Sequence, residues 1–109
     1  MIQIKEQVSI GSLYDLTKIE PSRSLYVAVI VRAILDASKP TLTSEDSSIK
    51  TFRKEAHNWL FKDVGVTNED FTVVCDMAGF PPDKVRTLAF NVINSGDIEN
   101  ERAKLYKYI

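Results

Sequence analysis

The side chains of this chain best suited to chemistry follow a tight turn, in and just beyond the stretch TVVCDMAGFPPDKVRTLAF from Thr72 to Phe90. Lys84 and Arg86 carry charge that suits phosphate oxygens, and Thr87 and Asn91 carry the donors and acceptors that touch base edges. A second basic group, Lys50, Arg53 and Lys54, lies on the segment before them, with Lys62 at its end. Together these residues would make a surface for DNA. The alternative is a solvated face, on which Asp83 supports the dipole at a helix start and would repel phosphate. On the DNA-contact reading, removing Lys84 and Arg86 weakens binding and leaves the fold intact.

Positioning such groups requires two helices crossing over a turn of three or four residues. The close approach needs a small residue in the first helix, one tolerant of positive φ at the turn, and an apolar anchor in the second. Cys75, Gly79 and Val85 fill those places, and Val74, Ala78, Phe80 and Leu88 complete the inner face. A helix-turn-helix-like unit is therefore expected over residues 68–94. Any tight helix pair closed by glycine shares much of this pattern, so a purely structural pair stays open.

The rest of the chain reads as all-α, with four to five helices. MIQIKEQVSI alternates apolar residues at a spacing of two, which suits a short strand or an extended arm within residues 1–20. A helix is expected from Pro21 to Ser38, apolar almost all round and so central and buried. Thr43 or Ser44 is the expected cap of the next helix, whose Ile49, Phe52, Ala56, Trp59 and Leu60 form a core-facing stripe. The third is expected from Asn68 to Ala78, capped by Thr67 with Asp70 three residues on, and the fourth from Pro82 to Ser95. In the tail, residues 96–109, Asp97 is the expected cap, with Ile98, Arg102, Leu105 and Ile109 along one side. The body is one domain, residues 21–95.

Composition limits the function. Of 109 residues, 44% are apolar, enough for one core. Basic residues number 14 against 15 acidic, a net charge of −1, where a chain gripping many phosphates would be basic. The single cysteine, Cys75, forms no internal disulfide, and its place on the apolar side of a helix pair suits packing better than nucleophilic attack. His57, the one histidine, suits a helix edge, and Trp59, Phe61 and Phe52 suit a core better than a base-stacking platform. No phosphate loop, zinc spacing, signal peptide or long apolar run appears. The expectation is a cytoplasmic, non-enzymatic protein with no metal, cofactor, membrane or small-molecule substrate. The apolar chain ends, including Leu105, Tyr106, Tyr108 and Ile109, must pack on the core or cover a second copy, and a symmetric homodimer is expected.

AHNWLF followed by EDFTVVCDMAGFPPDKVR resembles a block in small proteins encoded by phages and phage-derived elements, and is similar to the C-terminal part of gene transfer agent transcriptional activators. The matched positions are Trp59, Leu60, Phe61, Phe71, Val74, Cys75, Ala78, Gly79, Pro82, Val85 and Arg86. The resemblance implies a role in phage-linked gene expression within the host cytoplasm, through DNA or an RNA polymerase-associated protein, and does not imply catalysis.

Overall fold

Helix follows directly from the spacing of apolar residues, and the computed structural model, which describes residues 23–42, 44 and 46–109, is made of helices joined by short connections. They are α1 (Ser24–Ala37), α2 (Ser47–Phe61), α3 (Gly65–Ala78), α4 (Pro82–Ile93) and α5 (Ile98–Leu105), closed by a 3₁₀ turn at Tyr106–Tyr108. No strand occurs among the described residues. The expected arm at residues 1–20, the helix start at Pro21 and the cap at Thr43 lie outside them.

α1 is the axis of the molecule and touches each of the other helices and the 3₁₀ turn. Its Val27, Ile30, Val31, Ile34, Leu35 and Ala37 are buried. Around them pack Leu60 of α2, Phe71, Cys75 and Ala78 of α3, Val85, Leu88, Ala89 and Val92 of α4, and Leu105 of α5. Five β-branched residues tolerate helix here because tertiary burial outweighs an intrinsic preference worth only tenths of a kcal/mol each. The helix is not buried all round, however: Leu25 and Val29 face outward.

Several boundaries differ from expectation. Asp46, not Ser44, caps α2 by accepting from the Ser48 amide at 3.1 Å. α3 starts at Gly65, three residues early, because Gly65 takes a positive φ of 87° that lets the chain turn straight into a helix. Thr67 thus lies inside the helix and caps nothing. Asp97 stands at the start of α5 without a side-chain cap bond. On α2, Phe52 is 59% exposed, although its spacing placed it with Trp59 and Leu60 on the core face.

The turn of the helix pair matches expectation. α3 ends at Ala78, Gly79 takes a φ of 77°, and α4 opens on Pro82 after a three-residue turn. The Phe80 amide donates to the Cys75 carbonyl at 3.1 Å and the Gly79 amide to that of Asp76, which closes the helix end in the manner of a Schellman cap. A Cβ on Gly79 would also meet the guanidinium of Arg23. Cys75, Ala78 and Val85 are fully buried where the two helices join.

Candidate interaction surface around the helix pair

Three arginines decide which basic groups face solvent. The last carbonyls of a helix lack intrahelical donors and carry partial negative charge, so a cation near them stabilises the end. Neither α1 nor α2 has a basic residue in its last turn. Donors arrive instead from elsewhere in the fold. Arg53 of α2 donates from Nε to the Lys39 carbonyl at 3.0 Å and from Nη2 to that of Pro40 at 3.3 Å, just beyond the end of α1. Arg102 of α5 donates to the Leu35 carbonyl and to Ser38 Oγ, at 2.8 Å for the latter.

Arg86 does the same for α2 and more. Its Nε donates to the Leu60 carbonyl at 2.9 Å, and its Nη2 to the Asn68 side-chain oxygen at 2.8 Å and the Lys62 carbonyl at 3.3 Å. Its guanidinium lies 4.7 Å from the centre of the buried Phe71 ring. Trp59 meets the same ring edge-on, with centroids 5.0 Å apart, and its indole N–H donates to Asp70 at 2.6 Å. Asp70 therefore anchors Trp59 instead of closing a capping box. One cluster thus locks α2, α3 and α4 together.

The other candidate residues are placed differently. Lys84 is exposed in the first turn of α4, and Lys50 and Lys54 are exposed one turn apart on α2. Thr87 is half-buried, its hydroxyl donating to the Asp83 carbonyl at 3.0 Å, and Asn91 is half-buried one turn further on. Phe90, between them, is 51% exposed. Arg86 is therefore not the surface cation its place in the sequence indicated, and Arg53 is held by the α1–α2 corner.

Cys75 is fully buried, and burial pushes its thiol up to about 12, against a smaller opposing pull from Arg86. It stays protonated at neutral pH. Exposed His57 lies against Phe61, with ring centroids 4.7 Å apart and the planes tilted by 44°. Among the described residues no three of His, Cys, Asp and Glu gather as metal ligands would, and no helix is long and apolar enough to cross a membrane. Leu105 is buried and Tyr108 packs against the core, while Tyr106 and Ile109 stay exposed.

The chain matches no family model, and no curated protein or solved structure is significantly similar to it. The geometry nonetheless gives the block from Trp59 to Arg86 a meaning. None of its matched residues is exposed, and they build the Phe71 cluster, the Gly79 turn and the α3–α4 contact. Such a pattern specifies a frame. The role that sequence reasoning missed, that of Arg102 at the end of α1, carried one faint signal: a helix end without a local cation requires a donor from elsewhere.

Proposed function

We propose that this chain is a non-catalytic regulatory domain that acts in gene expression by contacting a protein, its helix-turn-helix-like pair serving as frame and not as duplex reader. The commitment of Arg86 to the Leu60 and Lys62 carbonyls, Asn68 and Phe71 carries this reading. A recognition helix needs its cations turned toward phosphate, because phosphate contacts supply most of the affinity for a duplex. On α4 that leaves Lys84 beside Asp83, in a chain whose net charge is −1. α3, by contrast, exposes Val66, Val73 and Met77 at positions that share one face, and exposed apolar patches mark protein interfaces, where Met is enriched. The resemblance to gene transfer agent activators supports an RNA polymerase-associated protein as the partner. Anisotropy of a labelled duplex at low salt should show no saturable binding. Interferometry against purified bacterial RNA polymerase should show binding that Val73→Glu with Met77→Glu removes. Saturable, salt-dependent duplex binding that Lys84→Ala weakens would overturn the proposal.

A further inference from the structure

Phe52, which periodicity assigned to the core, and Val29, on a helix expected to be buried all round, stand in the same open groove of about 340 Å³ between α1 and α2. Phe52 is 59% exposed and Val29 43%, while Leu25, one turn before Val29, is 65% exposed. Ala33 and Ala56 also line this groove, each four residues after Val29 or Phe52, where their small side chains keep it shallow. A trough between two helices with small residues inside and an aromatic at its edge is shaped to receive another helix.

Charge identifies the occupant. Arg32, Asp36 and Glu55 also line the groove, so both signs flank its apolar middle. Two carboxylates there disfavour nucleic acid. In a two-fold interface the same patch meets itself, so it must be complementary to its own rotated copy. Arg32 and Asp36 stand one turn apart on α1 and Glu55 lies across the groove on α2, so a two-fold rotation that sets α1 of one copy against α2 of the second can oppose Arg32 to Glu55. We infer that the α1–α2 groove is a homodimer interface, in which α1 and α2 of two copies pack as four helices about a two-fold axis. The interface therefore lies on the helical body and not at the chain ends, and it is separate from the α3 face that the functional proposal uses.

Sedimentation velocity of the full chain across a concentration series tests this. The expected result is a dimer of twice 12.3 kDa. Phe52→Asp and Arg32→Glu should each raise the dissociation constant more than about tenfold, since like charges opposed across an interface are strongly unfavourable. Both positions are exposed, so thermal melting of the monomer should be unchanged. Mixing Arg32→Glu with Glu55→Arg should restore association through the swapped pair. A full chain that remains monomeric overturns the inference, and a lower melting temperature for Phe52→Asp in that case shows that the chain's own residues cover the groove. A dimer whose affinity neither substitution changes also overturns it, by placing the interface elsewhere.

Discussion

Replacing Arg86 with Ala should cost the fold far more than its place in the sequence indicates. The substitution strips the Leu60 carbonyl and the Asn68 side-chain oxygen of a charged donor in part-buried surroundings and leaves the end of α2 without its cation. A hydrogen bond to a charged group contributes roughly 1.5–3 kcal/mol, and the contact over the Phe71 ring adds about 1 kcal/mol. The third bond, to Lys62 at 3.3 Å, is exposed and adds little. These contributions share one side chain and do not sum, so we expect a loss of about 3 kcal/mol. For a domain of this size that lowers the melting temperature by roughly 15 °C. Arg86→Lys keeps the charge but not the planar fork that reaches two acceptors at once, and should fall between. Urea unfolding followed by circular dichroism, with the slope unchanged and the midpoint lowered, measures the effect. Lys84→Ala provides the control and should stay within about 0.5 kcal/mol of the parent. If Arg86→Ala unfolds like the parent, the guanidinium is a solvated surface group and the case against duplex reading falls with it.

Gly79→Val should lose about 3 kcal/mol in the same assay, since a β-branched residue is strained at φ 77° and its side chain displaces Arg23, while Gly79→Asn should lose about 1 kcal/mol. Asp70→Ala removes the acceptor of the Trp59 indole and should shift the emission of this single tryptophan, with a stability loss of about 1 kcal/mol. Because burial raises the Cys75 thiol from an ordinary value near 9 to about 12, the folded chain holds a proton that the unfolded chain releases between those values. That contribution is complete below pH 9 and is lost as pH rises toward 12, so unfolding midpoints should fall less steeply with pH in Cys75→Ala than in the parent.

Local chemistry was sufficient for the turn and the helix pair. A glycine after an apolar helical stripe, followed by a proline that suits a first turn, fixes Gly79 and Pro82 by backbone sterics alone, and the small residue and anchor at Cys75 and Val85 follow from the spacing. The central position of α1 was equally legible, since no other segment carries so long an apolar run. What the sequence could not assign is which of two helical faces is covered when both are apolar. Phe52 fits a core stripe by periodicity and Val29 belongs to a helix that is apolar almost all round, and only the way α2 lies on α1 leaves both outside.

The arginines show the same division more sharply. A sequence places Arg53 and Arg86 on helices, and helical periodicity puts them on polar faces, where phosphate or water is the natural partner. Their actual acceptors, the carbonyls of Lys39, Pro40, Leu60 and Lys62, belong to segments 13 to 26 residues away. Each of those carbonyls lies at or just beyond a helix end, with few intrahelical donors and no cation in the last turn nearby, so its demand can be read locally. Which cation meets it depends on how the helices cross, and a long flexible side chain can satisfy a distant helix end only after packing has brought that end within its reach.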